Sequence, residues 1–227
     1  MASEDKIFEY IFNLPNGEVY QYPIIVDDSG KLVLKNELDR ETKELTRLEY
    51  SKCSNCPLKG SECTYCPAAS VVMDIISHFK DLDSFAQCHV EVIEKKRRVS
   101  TDTDIQSALR SLLGLVLPLS GCPHLTFLKS MALNHLPFST SRETLVRVMG
   151  FHLLGEYLEN PERLTKISRL EKLYNELNDV NQGLLGRVSK FEHRDAGKNA
   201  FVVLDSFLQI FNCEVEFNFD DIKKSLE

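Results

Sequence analysis

The chain has 227 residues, a net charge of −7 and a pI near 5.5, a balance that excludes a general binder of nucleic acid or anionic membranes. Hydrophobic residues make up 43% and charged residues 27%, as in a globular protein large enough to bury a core without disulfide staples. Both halves are net acidic, so no charged tail stands apart.

The start, MASEDKIFEY, puts two acidic residues ahead of any apolar run, the reverse of a secretory signal. The longest apolar stretch, Leu112 to Leu119, is broken by Gly114 and Pro118 and falls far short of the roughly 20 residues that span a bilayer. The expectation is a soluble, cytoplasmic protein with no membrane partner. There, clustered thiols bind metal more readily than they pair as disulfides, and the odd total of seven cysteines points the same way.

In chain order, IFEYIFNL and EVYQYPIIV flank Pro15-Asn16-Gly17, a hairpin signal. Asp27-Asp28-Ser29-Gly30 turns into a strand KLVL, and LTRLEYS reads as a further strand leading into the first cysteine pair. After Cys66, Pro67 suits a first helical turn, and Ala68, Val72, Ile75 and Phe79 give one apolar face over 67–80. QCHVEVIE alternates as a strand, which KKRRVS continues or pairs with. From Thr101 the pattern is helical: a helix capped by Asp102 or Thr103 and running to about Leu117, and another from Pro123 to about His135. A third is opened by the capping-box sequence Thr140-Ser-Arg-Glu143. A long fourth helix keeps apolar steps of 3 or 4 from Leu164 to Phe191, with a kink expected at Gly183 and Gly186. A fifth, around Ala200–Phe211, is apolar on nearly every side. The fold class expected is α+β: residues 1–100 form an N-terminal antiparallel sheet with one helix and a cysteine loop. Residues 101–227 form a bundle of about five α-helices packed on it as one body.

The loop CSNCPLKGSECTYC, residues 53–66, holds two C-x2-C pairs separated by six residues. Each pair can turn both sulfurs to one side, and zinc takes four thiolates tetrahedrally at roughly 2.3 Å. Cys53, Cys56, Cys63 and Cys66 are therefore the expected metal ligands, with zinc as the metal. Four protein ligands leave no position for water or substrate, so the site reads as structural. An iron–sulfur cluster is the rival, because two of the loop's cysteines, Cys56 and Cys66, are followed by proline, although the spacing departs from the ferredoxin run.

A second unusual stretch is SGCPHLTFLKSMALNHLPF, residues 120–138. Cys122 sits at a helix N-cap with Pro123 at N1 and His124 two residues on, which makes Cys122 and His124 the candidates for a thiol enzyme or redox sensor. Against this, His124 and His135 lie three helical turns apart, roughly 16 Å along an axis, and a capped, half-buried thiol is the plainer reading. His152 is read as a core histidine, and His193 and His78 as solvated. Cys88 and His89 face opposite ways on a strand. Lys95–Arg98 is read as a solvated sheet edge. Asn178, Asp179, Asn181 and Gln182, with Asn199 and Asp205, could line a polar pocket. No Walker A, G-x-G-x-x-G, H-E-x-x-H or G-x-S-x-G occurs.

The CxxCPL and following CP, SLLGL, SGCPHLTFLKSMALNHLPF and NAFVVLDSF resemble a bacterial family of unknown function over most of the chain. That resemblance implies a bacterial, cytoplasmic origin and one integrated fold, and it brings no activity or cofactor. The reading that results is a zinc-stabilised, non-enzymatic protein that acts by binding another protein. The alternatives are a thiol enzyme at Cys122 and His124 or an iron–sulfur protein.

Overall fold

The hairpin written by Pro15-Asn16-Gly17 opens the fold. Strands β1 (Asp5–Asn13) and β2 (Val19–Val26) pair antiparallel, and Gly17 takes the positive φ of 88° that the turn needs. β3 (Gln87–Glu94) adds to the other side of β1, and β4 (Arg98–Asp104) pairs with β3. The result is a four-stranded antiparallel sheet of order β2-β1-β3-β4. This computed structural model describes residues 5–34, 37–161 and 167–191.

Alternation along the strands sends Phe8, Tyr10, Phe12, Tyr22, Ile24, Val90 and Val92 to one buried face. Helix α2 (Pro67–His78) closes on that face, and beyond its end the rings of Phe79 and Phe12 stand 4.7 Å apart. The basic run makes the β3–β4 turn, where Arg97 pairs with Glu94 and Arg98 with Glu91 at the surface.

Two expected strands give way to other structure. Before LTRLEYS, Asp39 caps a short helix, α1 (Arg40–Leu45), by accepting from the Glu41 and Thr42 amides. LTRLEYS itself becomes a run of turns, with a single bridge between Arg47 and Tyr65. KLVL keeps only a bridge from Leu32 to Val26, and on its other edge the Leu32 amide donates to the Leu119 carbonyl.

Helix α3 (Ile105–Val116) starts just past the expected caps, with the Asp104 carboxylate accepting from the Ser107 amide. The helix expected over 123–135 is divided. Residues Pro123–Leu128 form a 3-10 turn, and only Lys129–Leu133 is α-helical, as α4. Helix α5 (Ser141–Glu159) carries the complete capping box. Helix α6 (Ile167–Phe191) runs unbroken through Gly183 and Gly186, burying Leu170, Leu177, Val180, Leu184 and Val188. The helix expected at 200–211 lies outside the described residues. Among the described residues the fold is α+β, an N-terminal antiparallel sheet with six α-helices, and a single apolar core joins residues from Phe8 to Val188. Among them no single helix is long and apolar enough to cross a membrane.

Candidate metal centre

The cysteine loop is closed at its base by a short ladder. The Leu48 amide donates to the Thr64 carbonyl at 2.9 Å, and the Cys66 amide to the Thr46 carbonyl at 2.6 Å. Inside it, the Cys56 amide bonds the Cys53 carbonyl at 3.1 Å and so turns the first C-x2-C back on itself. Cys66 then caps α2, with Pro67 at the first helical position.

Cys122 repeats that arrangement. Its φ and ψ are −68° and 125°, against −67° and 119° at Cys66, and a proline follows each. Four residues on, a hydroxyl bonds back to the carbonyl of the capping cysteine: Ser70 to Cys66 at 3.0 Å and Thr126 to Cys122 at 3.2 Å. Burial raises the Cys66 and Cys122 thiols, nearby amides (Ala69 and Ala68, His124 and Leu125) offset part of that, and neither sulfur accepts a capping hydrogen bond.

Burial pushes Cys53 up to about 11 and Cys122 up to about 12, and negative charge on neighbouring sulfurs adds to both. Those neighbours are Cys66 and Cys56 for Cys53, and Cys66 and Cys53 for Cys122. Cys63 behaves differently, donating its thiol to the Tyr65 carbonyl at 3.0 Å. Among the described residues no three His, Cys, Asp or Glu side chains are gathered, as they stand, to hold one metal ion.

The loop is seated on α6. A Cβ on Gly183 would come within 2.9 Å of Cys53 Sγ, and one on Gly186 within 2.1 Å of Ser51 Oγ. Only glycine lets the two backbones approach this closely. Next to them Arg187 is 1% exposed. Its guanidinium donates to the carbonyls of Leu45, Arg47, Leu48, Ser51 and Gly183 at 2.7–3.2 Å. Its positive charge favours the thiolates of Cys53 and Cys66. Among the described residues it pairs with no carboxylate. Asn55 completes the seat: its amide donates to the Glu176 carbonyl at 2.9 Å, and its own carbonyl accepts from His124 Nε2 at 3.0 Å.

A model of the domain of unknown function DUF6901 matches residues 8–227. The chain belongs to that family. No curated protein and no solved structure matches it.

Elsewhere in this DUF6901 chain the sequence candidates scatter. His135 lies on Tyr10, whose hydroxyl is 2.7 Å from both His135 Nε2 and Ser111 Oγ. It has no part in the arrangement around His124. Burial, with the Arg147 charge behind it, pushes His135 down to about 3, so the ring is neutral at physiological pH. Together with Arg110, Met131, Arg147 and Tyr174, His135 and Ser111 line a cavity of about 100 Å³.

His78, expected in solvent, packs against Tyr22 and Phe79 with its Nε2 sealed off. The reason is that α2 turns it toward the sheet. His152 is half-buried with Nε2 enclosed. Cys88 is buried, while its neighbour His89 pairs with Asp102 at the surface. Asn178 and Gln182 are exposed, Asp179 is half-buried and Asn181 is buried. His193, Asn199 and Asp205 lie outside the described residues. Sequence reading missed Arg187, which interrupts the apolar row of Leu184 and Val188, and it missed the buried bond from the Tyr22 hydroxyl to Asp74.

Proposed function

We propose that this DUF6901 protein is a metal-stabilised, non-enzymatic protein of the bacterial cytoplasm that acts by binding another protein. Cys53, Cys56 and Cys66 supply thiolates to a structural metal ion, zinc. The observation that carries this reading is Arg187, a buried guanidinium beside the sulfurs of Cys53 and Cys66 with no carboxylate partner among the described residues. A buried charge is costly unless countered, and a thiolate–metal centre, which is net negative, supplies the counter-charge. The clamp of the loop to α6 at Gly183, beside Cys53 Sγ, supports the reading, and the sulfurs would have to close in on the ion, since no three side chains among the described residues converge as they stand. Metal held there would fix the junction between the sheet half and α6.

The binding surface is the outer side of α5. Val146, Leu153, Leu154, Tyr157 and Leu158 recur there at helical spacing and are exposed, Leu158 to 71%. An apolar stripe of that kind marks an interaction surface on a folded protein. Cross-linking in cells, comparing the wild type with a Leu154→Lys/Leu158→Lys variant of equal stability, tests this. Partners captured by the wild type alone support it, and partners captured equally by both remove α5 from the role.

A second reading is favoured by one observation. The sulfurs lie within each other's electrostatic reach, yet no three among the described residues converge on one ion. An iron–sulfur cluster places its cysteines on separate irons and accepts that wider spacing. Zinc leaves the protein colourless, whereas a cluster makes it brown and brings iron with acid-labile sulfide.

A further inference from the structure

Building on the metal reading above, we infer that the fourth thiolate of the centre is Cys122, from the second half of the chain, and that Cys63 stands outside it. The ligand class is a thiolate-bound metal centre, a zinc ion or an iron–sulfur cluster. Cys122 is brought to the loop by a direct tie, since His124, two residues beyond it, donates to the carbonyl of Asn55, the residue before Cys56. The same histidine stands 3.6 Å from Glu176 on α6, so it sits between the loop and that helix.

Cys66 and Cys122 share one backbone conformation, one following proline and one hydroxyl brace at the fourth residue. Each precedes a proline that opens a helical turn, so both sulfurs leave the chain at equivalent points of equivalent turns. Cys53 completes the approach from under Gly183, and Arg187 places its charge beside Cys53 and Cys66. Cys63 has none of these features. Its thiol is spent on the Tyr65 carbonyl two residues away. The ligand pattern is then C-x2-C-x9-C in the loop plus one distant Cys-Pro, which joins the two halves of the chain through a single centre.

The test uses the full chain, purified anaerobically without a metal-affinity tag, with zinc, iron and acid-labile sulfide measured per chain. Cys63→Ser should keep the wild-type metal content, while Cys122→Ala should lose most of it. Loss of metal in a folded Cys63→Ser protein, with Cys122→Ala still loaded, would overturn the assignment while leaving a metal site on the loop. A wild-type protein with neither zinc nor iron would sink the site altogether. Should Cys122→Ala fail to fold, cysteine alkylation of the native wild type decides. Cys63 should label before a chelator is added, and Cys122 should become reactive only together with Cys53, Cys56 and Cys66 once metal is stripped. A Cys63 protected until chelation, with Cys122 indifferent to it, contradicts the proposal.

Discussion

Gly183 on α6 lies directly against Cys53: a Cβ at that position would stand 2.9 Å from the sulfur and 3.0 Å from the Ser51 carbonyl. Alanine normally gains up to about 1 kcal/mol over glycine in a helix interior. Here overpacking against backbone should reverse the sign, for a net loss on the order of 1–2 kcal/mol. Gly150→Ala on α5, where nothing lies within 4 Å, should instead stabilise by roughly 0.5–1 kcal/mol. Urea unfolding of the two variants checks the pair, and stabilisation by both would mean that the loop does not press on α6.

Arg187 holds five carbonyl oxygens of the segment leading into the loop and of α6. Arg187→Met should cost on the order of 3–5 kcal/mol, since buried acceptors are left without donors. Arg187→Lys should recover only part, because an ammonium cannot reach the same fork of acceptors. Equal melting of the lysine variant and the wild type would remove the guanidinium geometry from the account.

The neutral His135 makes stability depend on pH. Its folded value is depressed to about 3, below the free value of about 6.5. The unfolded chain therefore binds a proton that the folded chain refuses between those limits. The stabilisation is fully present above pH ~6.5 and is lost as pH falls toward ~3, at up to about 1.4 kcal/mol per pH unit. Unfolding free energies from pH 7 to 4 should show a slope in the wild type that is shallower by about one proton in His135→Gln. An unchanged slope would contradict it.

Cys122 is 7% exposed, and as a metal ligand it would not be free to react. Alkylation by iodoacetamide near neutral pH should be slow in the native protein and fast after unfolding. Rapid native labelling with a midpoint below the free-thiol value would restore Cys122 as a nucleophile.

Much of the fold was legible because its signals are local. The Asn-Gly turn, the Thr140–Glu143 capping box, the alternation of β3 and the apolar steps of α6 each depend on a few adjacent residues, and each element forms. LTRLEYS misled because its alternation competes with the Asp39 cap just before it, and local hydrogen bonds won. The 123–135 segment misled because apolar spacing of 3 or 4 does not separate a 3-10 turn from an α-helix, and Pro123–Leu128 takes the tighter form.

The site was half legible. C-x2-C spacing announces clustered sulfurs, but the approach of Cys122, Gly183 and Arg187 is set by tertiary packing across more than half the chain. No spacing rule encodes that. Arg187 could have been suspected as a cation on the apolar side of α6.

The most direct test of a metal-anchored loop is the metal content of the native protein and its response to chelation. About one metal centre per chain is expected, with a large fall in melting temperature once metal is stripped, because the loop, α2 and α6 lose their common anchor. Metal-free protein with the same melting temperature in the presence and absence of chelator would contradict it.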